Sequence, residues 1–254
     1  MEHLRIKKYD IGTGRPLMCV PVVEIGQNDI FMAAKCAVDQ GAEALEWRMD
    51  WFGKIDSWEE TEAVLHSLSG ICKETILLCT FRSKVQGGQR ALPGKEYQLL
   101  LERIAESKLA DLLDVEVFEL SDASAVIAKL HRAGQRVIGS QHYFSHTPDT
   151  VWMRQELETM KEAGADIGKL AVMPKEPLHV LQLLEASAQM KKYYPDYPIV
   201  TMAMGGLGAI SRVSGQVFGS CITFASIGKA SAPGQLSIKD TKLILNKISE
   251  SMDK

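Results

Sequence analysis

The sequence has no long apolar run and no excess of positive charge, and each absence excludes a class of protein. The formal net charge is −3, so the chain offers no basic field that would hold a nucleic acid backbone. Its apolar runs, for example residues 76–81, fall far short of the about 20 residues that a membrane-spanning helix requires. The opening residues MEHLRIKKYD lack the apolar core of a secretory signal. We therefore expect neither a nucleic acid partner nor a membrane.

Cysteine is scarce and scattered along the chain. The five cysteines include no CxxC pair: Cys19, Cys36, Cys72, Cys79 and Cys221. An odd set without close pairs is typical of buried thiols in a reducing compartment, and it does not suit a disulfide framework or a zinc knot. The pattern predicts a cytoplasmic protein whose cysteines pack in the core.

Short runs rich in Val, Ile and Leu alternate with segments of helical length. The candidate strands are residues 16–23, 43–49, 75–81, 111–117, 135–140, 166–173, 198–204 and 220–226, and candidate helices include 28–40, 95–108, 126–134 and 239–252. This alternation predicts an α/β protein with a parallel sheet. Eight repeats in about 250 residues predict a closed (β/α)8 TIM barrel. No GxGxxG motif follows the first strand, which weakens the alternative of a dinucleotide-binding sheet.

Two segments lie outside the repeats. Residues 1–15 predict an N-terminal β-hairpin that turns at Gly12–Gly14 and closes the floor of the barrel. Residues 225–237 follow the last strand and are rich in small side chains, as a mobile lid loop is. No linker, repeat or low-complexity tract divides the chain, so we expect residues 1–254 to form one domain.

Charged side chains alternate with apolar ones on the predicted strands. Because side chains of one parity face the barrel interior and the others face the helices, we expect the charged set to meet at the C-terminal mouth. Burying several charges singly would be costly, so their convergence predicts a polar site. The set comprises Glu46, Arg48, Arg82, Asp114, Glu116, His142 and Lys169. We interpret Glu116 as part of a structural ion pair. For Glu46 with Arg48 or Arg82, a network that only ties strands together is the alternative.

Lys169 lies inside the apolar run IGKLAVM, so its side chain must point into the barrel mouth. Removal from water and nearby cations such as Arg48 or Arg82 would lower its pKa from about 10.4 and give a nucleophilic amine. A neutral amine is what attack on a ketone requires, so the residue predicts Schiff-base chemistry. The alternative is a structural lysine paired with Glu46 or Asp114.

Two further residues complete the predicted chemistry. His142 follows the fifth strand and suits a general base; we discount a metal pair of His142 with His146 because no third ligand is evident. We place Arg212 in a helix just after the Gly205–Gly206 turn, and helix starts favour anions. Gln235 and Ser231 in the lid could donate neutral hydrogen bonds to a carboxylate.

A set of short motifs runs the length of the chain. They are EWRMD at 46–50, TFRS at 80–83, GG at 87–88, DVE at 114–116, His142, GKLAVMP at 168–174, TMAMG at 201–205, SR at 211–212, FGS at 218–220, TF at 223–224 and SAPGQ at 231–235. In combination they resemble the type I 3-dehydroquinate dehydratase family, over essentially the whole chain. The resemblance implies a TIM barrel, usually a homodimer, that dehydrates 3-dehydroquinate to 3-dehydroshikimate in the shikimate pathway without metal or added cofactor.

The resemblance also implies roles for the matching residues. Lys169 would form an imine with the substrate's C3 ketone, and His142 would take a proton from C2 and protonate the departing C1 hydroxyl. The implied binding residues are Arg212, Ser231 and Gln235 for the carboxylate, Glu46, Arg48, Arg82 and Asp114 for the ring hydroxyls and the imine, and Met202, Met204 and Phe224 for an apolar wall. By their spacing alone, the two methionines would be read as barrel packing.

Three positions depart from the family pattern. Gln86 stands where an acid commonly precedes the GG pair, Tyr143 where an aspartate often follows the histidine, and Pro21 where some members have serine. Losing two carboxylates near His142 should lower the pKa of that histidine. We therefore predict that activity falls off at a lower pH than in members that keep both acids.

Two rival functions remain at this stage. A class I aldolase also forms a Schiff base in a barrel and would use the glycines of TMAMGGLGAI for a phosphate. A barrel without activity, kept as a binding or scaffold subunit, is the rival from another class. Lys169 and His142, both present, argue against the second.

Overall fold

The computed structural model describes residues 4–228 and 232–252 of the chain. The strands are β1 (Arg5–Ile6), β2 (Tyr9–Asp10), β3 (Leu17–Val22), β4 (Ala44–Arg48), β5 (Ile76–Thr80), β6 (Leu112–Glu116), β7 (Arg136–Tyr143), β8 (Ile167–Val172), β9 (Ile199–Ala203) and β10 (Ile222–Phe224). The α-helices are α1 (Gln27–Asp39), α2 (Trp58–Ile71), α3 (Gly94–Ser107), α4 (Ala123–Arg132), α5 (Thr150–Glu162), α6 (Pro177–Tyr193), α7 (Ala209–Val213), α8 (Gly215–Phe218) and α9 (Ile238–Met252). None of the helices in these ranges is long and apolar enough to cross a membrane.

Strands β3 to β10 form one parallel sheet in the order β10-β3-β4-β5-β6-β7-β8-β9. A parallel bridge between Ile199 and Ser220 joins β9 to the residues just before β10 and brings the two ends of the sheet together. The backbone N–H of Cys221 donates to the carbonyl of Ile199 at 2.8 Å at the same junction. Helices connect successive strands, so the predicted (β/α)8 TIM barrel is confirmed, with every predicted strand present.

The strand parity divides the apolar core into two layers. Leu45 and Trp47 of β4 pack outward with the helices, whereas Ala44 of the same strand packs inside the barrel. The same alternation turns Asp114 and Glu116 of β6 inward, as predicted. Several residues of the inner apolar layer come early in their strands, for example Ile76 and Leu112, and the charged side chains follow nearer the strand ends.

The N-terminal hairpin closes the floor of the barrel. Ile6 and Ile11 are buried and pack against the apolar residues at the lower end of the barrel interior. The predicted turn at Gly12–Gly14 is wrong: β1 and β2 pair Ile6 with Tyr9, so the turn is made by Lys7 and Lys8, with φ of 53° at Lys7. Two lysines carry none of the Asn or Gly signal of a tight hairpin turn.

Contacts of the Lys7 side chain account for a turn without glycine. Nζ donates to the carbonyls of Cys72 at 2.5 Å and Thr75 at 2.7 Å. It also lies 2.6 Å from Oδ2 of Asp111. These three contacts offset the cost of placing a side chain in the left-handed region, which is about 1–2 kcal/mol. The hairpin is therefore fixed to the bottom of the barrel by a charged residue as well as by its buried isoleucines.

Candidate active site

A cavity of about 580 Å³ opens at the barrel mouth, where the carboxyl ends of the parallel strands meet. In TIM barrels this face carries the active site. The residues predicted from the sequence that line the cavity are Glu46, Arg48, Arg82, His142, Lys169, Met202, Met204, Arg212, Phe224 and Gln235. Asp114 lies behind them, and the remaining predicted residue, Ser231, falls outside the described residues. The structure thus brings the predicted set together from separate strands.

Lys169 lies in the middle of β8, and only 3% of its side chain is exposed. Nζ donates to Oε1 of Glu46 at 3.2 Å and to Oδ2 of Asp114 at 3.1 Å. It also lies 4.7 Å from the ring centroid of Phe224, within reach of a cation–π contact. Arg82 lies close to this amine, as expected, because both cations donate to Oδ2 of Asp114. The groups in direct contact with the amine are nevertheless two carboxylates, as in the alternative left open by the sequence.

Arg82 is the second buried cation of the site. Its Nη2 donates to Oδ2 of Asp114 at 2.8 Å, and its Nη1 donates to Oε1 of Glu116 at 2.8 Å and to Oγ of Ser140 at 3.0 Å. Burial acts to lower the pKa of Arg82, but the charges of the two acids outweigh it and raise that pKa. Glu116 is therefore part of a structural ion pair, as the sequence indicated. Its partner is an arginine that also faces the cavity.

Asp114 connects the two cations. Ser140 donates its hydroxyl hydrogen to Oδ1 of Asp114 at 2.6 Å, while Lys169 and Arg82 share Oδ2. Burial acts to raise the pKa of Asp114, but the two cations and the Ser140 hydrogen bond outweigh it and hold the pKa below its usual value. The carboxylate is therefore charged, and it fixes the position of the lysine amine.

Arg48 is held at the rim by an acid that the sequence analysis did not assign to the site. Its Nε and Nη2 donate to the two carboxylate oxygens of Asp50 at 2.8 Å and 2.9 Å. The backbone N–H of Gln89 also donates to Asp50, at 3.0 Å. This two-pronged arrangement fixes the plane of the guanidinium. Arg48 can therefore present a fixed edge to a ligand in the cavity.

His142 is half-buried at the end of β7. Its Nδ1 lies 3.1 Å from Oε1 of Gln86, and its ring stacks on that of Phe144 with 6.4 Å between centroids and 20° between planes. Removal from water, followed by the charges of Arg82, Lys169 and Arg48, holds the pKa of His142 well below its usual value. The imidazole is therefore neutral near pH 7, as a general base must be.

Arg212 follows β9, the strand next to β8, and lines the cavity. Arg212 lies in a helix after the Gly205–Gly206 turn, as expected, but it is the fourth of the five residues of α7 and so does not lie at the start of that helix. Among the described residues its Nη2 donates to the carbonyl of Pro233 at 3.2 Å, whereas Nε and Nη1 are buried without a partner. Burial lowers the pKa of Arg212 to about 10. A buried guanidinium with unused donors is matched by an anion such as a carboxylate.

The described part of the predicted lid packs against the strand ends. The carbonyl of Pro233 accepts from the backbone N–H of Gly205 at 3.1 Å as well as from Arg212. A Cβ atom on Gly234, whose φ is +78°, would lie 2.1 Å from the carbonyl oxygen of Gly205. Only glycine can make this close approach, so residues 232–236 are shaped to lie over the cavity. The mobility expected of residues 225–237 stays a prediction.

Apolar side chains complete the wall of the cavity. Met202, Met204 and Phe224 have 9%, 2% and 5% of their surface exposed, and all three line it. Met202 and Phe224 also belong to the inner core layer. One side chain can therefore pack in the barrel and line the cavity at the same time. The interpretation of the methionines as barrel packing and their role as an apolar wall are compatible.

Some residues at the site were missed by the sequence analysis. Thr80 donates its hydroxyl hydrogen to Oε1 of Glu46 at 2.9 Å, Ser140 binds Asp114, and Phe144 covers His142. The alternation of inward and outward side chains could have identified all three. Each lies two residues from an inward-facing residue of the same strand or of the residues that continue it. Hydroxyl and aromatic side chains simply stand out less from a strand pattern than charges do.

The described residues outside the mouth include one further charged cluster, at the floor of the barrel. A wider open depression lies at the floor, beside the hairpin and the end of α6. Its charged residues include Arg136, which is bonded to Asp166 at 2.9 Å, and Asp166 also contacts His131. Across residues 4–228 and 232–252, no group of three or more His, Cys, Asp and Glu side chains could hold a metal ion. His146 is bonded to Ser145 rather than to His142.

Fold and site together define a TIM barrel with a buried lysine, a neutral histidine and a half-satisfied arginine around one cavity. A profile of the type I 3-dehydroquinase family matches residues 18–252, and the chain belongs to that family. The resemblance inferred from the motifs is thereby confirmed, as is the expectation that the chain is an enzyme of the dehydroquinase class.

Individual relatives match over nearly their full length. The 3-dehydroquinate dehydratase of Clostridioides difficile is 39% identical over 253 residues, 99% of each chain. That of Klebsiella pneumoniae is 38% identical over 245 residues, 96% of this chain and 98% of the relative. A solved structure from Geobacillus kaustophilus superimposes with a TM-score of 0.94 at 35% identity, covering 98% of this chain and 97% of that one. A structure of type I 3-dehydroquinate dehydratase from Clostridium difficile, with covalently modified comenic acid, superimposes with a TM-score of 0.94 at 39% identity. It covers 98% of this chain and 99% of that one.

Proposed function

We propose that this chain dehydrates 3-dehydroquinate to 3-dehydroshikimate in the shikimate pathway, through an imine on Lys169 with His142 as general acid and base. The observation that carries the proposal is the placement of Lys169 and His142 on the adjacent strands β8 and β7, both lining one cavity. Arg212, which lines the same cavity, has two donors without a partner among the described residues, and these are available to the substrate's carboxylate. The relatives' activity and the covalent ligand in the Clostridium difficile structure support the same chemistry.

The first step joins the lysine to the substrate. Nζ of Lys169, after giving up a proton, attacks the C3 ketone, and loss of the ketone oxygen as water leaves a cationic imine. Glu46 and Asp114, which lie within 3.2 Å of Nζ, would then stabilise the positive nitrogen. The two carboxylates in contact with the amine therefore suit a positively charged imine, and Asp114 also offsets the charge of the nearby Arg82.

The second step moves a proton from carbon to oxygen. The neutral His142 takes the proton from C2, and the released electron pair moves into the imine to give an enamine. The protonated histidine then returns that proton to the C1 hydroxyl, which leaves as water while the electron pair moves back. Hydrolysis of the imine consumes one water and frees Lys169. One water is lost in total, the one that contains the C1 oxygen.

The remaining residues would bind and orient the substrate. Arg212, with Gln235 and Ser231 of the lid, would hold the carboxylate, and Arg48 and Arg82 would bind ring hydroxyls. Met202, Met204 and Phe224 would contact the apolar part of the ring. The proposal needs no metal and no added cofactor, because the imine itself provides the electron sink.

Product analysis tests the reaction. With 3-dehydroquinate, we expect a rise in the ultraviolet absorbance of a conjugated enone, and Lys169→Ala should abolish it. Lys175→Ala is the matched control, because Lys175 is exposed just beyond β8 and should keep full activity. A released aldehyde instead of an enone would identify an aldolase, and binding without turnover would identify a scaffold protein.

We also propose that the chain is a cytoplasmic homodimer. All five cysteines are free thiols, which suits a reducing compartment. Exposed apolar side chains of α5 and α6, including Val151, Trp152, Leu178 and Leu181, offer a surface for a second copy. Analytical ultracentrifugation should give twice the chain mass, and replacing Leu178 and Leu181 with serine should shift the dimer toward monomer. A monomer at all concentrations would refute the dimer.

A further inference from the structure

Thr80 ends β5 and points into the barrel, although the chemistry proposed above gives it no role. Ile76 and Leu78 of the same strand belong to the inner apolar layer, and Thr80 continues their alternation toward the mouth. Its side chain is fully buried. The hydroxyl lies 2.9 Å from Oε1 of Glu46, and an ionised carboxylate can only accept a hydrogen bond. The Thr80 hydroxyl is therefore the donor.

Thr80 and Lys169 both donate to the same oxygen of Glu46. The hydroxyl and Nζ lie 2.9 Å and 3.2 Å from Oε1, so neither donor uses Oε2. The two donors belong to β5 and β8, which are not neighbours in the sheet, and they hold the carboxylate from different strands. Because Glu46 lines the cavity, its Oε2 is left for a hydroxyl group of the substrate ring.

Formation of the imine changes the number of donors on Lys169. An ammonium nitrogen has three N–H groups, and those of Lys169 reach both Glu46 and Asp114. The nitrogen of the cationic imine is bonded to Cε of the lysine and doubly bonded to C3 of the substrate, so it has a single N–H. One N–H cannot donate fully to two carboxylates. One of the two acids therefore loses its hydrogen bond to the lysine once the substrate is attached.

The two acids differ in what still holds them after that loss. Asp114 also accepts from Arg82 at 2.8 Å and from Ser140 at 2.6 Å. Among the side chains that the structure describes, the donor to Glu46 that does not change during the reaction is Thr80. We propose that Thr80 is a positioning residue that holds Glu46 while the imine exists, so that Oε2 stays directed at a ring hydroxyl of the substrate. The inference rests on the proposed function, because it concerns the same site and the same intermediate.

Two substitutions separate the hydroxyl of Thr80 from the shape of its side chain. Thr80→Val keeps the shape and removes the donor, so kcat should fall about 10–100-fold, as for the loss of a hydrogen bond to a charged group. The change in KM should be smaller, because Lys169 still holds Glu46 until the imine forms. Thr80→Ser keeps the hydroxyl and should keep most of kcat.

Thr75→Val is the matched control for these variants. Thr75 lies just before β5, at the other end of the strand, and its hydroxyl donates to the carbonyl of Ala42 at 3.3 Å. The substitution removes a buried hydroxyl of the same kind away from the cavity, so kcat and KM should both be unchanged. If Thr80→Val does not fold, Thr80→Ala removes the same donor without adding a methyl group and takes its place.

Substrate analogues show whether Thr80 acts through Glu46. The 4-deoxy and 5-deoxy analogues of 3-dehydroquinate each lack one ring hydroxyl other than the leaving group. With the analogue that lacks the hydroxyl bound by Oε2, the unsubstituted protein and Thr80→Val should have nearly equal kcat. With the other analogue, the variant should remain slower. An equal defect with 3-dehydroquinate and with both analogues would give Thr80 a general structural role and overturn the inference.

Borohydride trapping shows at which stage Thr80→Val fails. The variant should still form the adduct on Lys169, because the lysine and its bond to Asp114 are intact. A variant that forms no adduct would overturn the inference, since the hydroxyl would then be needed before the imine exists. Normal kcat in Thr80→Val would overturn it too and leave the proposed function standing. No turnover by the unsubstituted protein would refute the proposed function and this inference with it.

Discussion

Lys169 and Asp114 share a buried hydrogen bond of 3.1 Å, and the same oxygen of Asp114 also accepts from Arg82 at 2.8 Å. One carboxylate thus holds two cations from different strands in place. Without it, Lys169 would keep only Glu46 and Arg82 would keep only Glu116 as charged partners. The arrangement couples the stability of the barrel mouth to the position of the amine.

Asp114→Ala should therefore reduce both stability and activity. Removing one partner from a buried ion pair costs about 3–5 kcal/mol, and we expect the low end of this range because both cations keep a second acid. Asp114→Asn keeps an acceptor for Ser140 and should lose less. Urea unfolding measures the difference, and an Asp114→Ala variant as stable as the unsubstituted protein would contradict this account of the network.

Arg212→Ala should weaken substrate binding more than it slows chemistry. Truncating one partner of a buried charged contact costs about 2–5 kcal/mol, so kcat/KM should fall at least about 30-fold, mainly through KM. Arg90→Ala is a matched control, because Arg90 pairs with the exposed Asp56 away from the cavity. Steady-state kinetics with 3-dehydroquinate test both variants. If Arg212→Ala and Arg90→Ala had equal kcat/KM values, the unpaired donors of Arg212 would not bind the carboxylate.

The acid limb of the pH–rate profile should lie at an unusually low pH. The general base must be neutral, and burial together with Arg82, Lys169 and Arg48 holds the pKa of His142 well below its usual value of about 6.5. Activity is lost only as pH falls through that lowered pKa. We expect kcat/KM to persist to lower pH than in family members with an acid at the positions of Gln86 and Tyr143. An acid limb at the same pH in this protein and in those family members would refute the prediction.

Gly87→Ala should impair the site through Phe144. Gly87 has φ of +84°, and a Cβ atom there would lie 2.3 Å from Cε2 of Phe144, the ring that stacks on His142. Gly134→Ala is the matched control, because Gly134 has φ of +88° but open space around its Cβ position. Both variants should lose about 1–2 kcal/mol of stability from backbone strain. Only Gly87→Ala should lower kcat, and an equal kcat for the two would show that the Phe144 stack is not needed.

Much of the fold was predictable because a barrel repeats one pattern. Apolar strands and helical segments alternate along the chain. In β4 and β6, the alternation of charged and apolar side chains indicates which charges face inward. The hairpin turn was not predictable, because Lys7 and Lys8 have no turn preference. Long-range contacts to Cys72, Thr75 and Asp111 stabilise that turn, and no local sequence signal reports them.

The site residues were found more reliably than their partners. Parity places Lys169, Arg82 and Asp114 at one mouth, but it does not say which acid each cation binds. That depends on the stagger of neighbouring strands, which sets Lys169 beside Ser140 and leaves Arg82 to reach Asp114 and Glu116. The position of Arg212 within its helix was likewise not predictable, because the short helix α7 ends one residue after it.

Borohydride reduction tests the central claim most directly. The protein is incubated with 3-dehydroquinate and sodium borohydride, digested, and mapped by peptide mass spectrometry. An imine on Lys169 would be reduced to a stable amine, so one adduct should appear on the peptide that contains Lys169, and none should appear in Lys169→Ala. An adduct on another lysine, or no adduct while the substrate is still converted, would contradict the proposed mechanism.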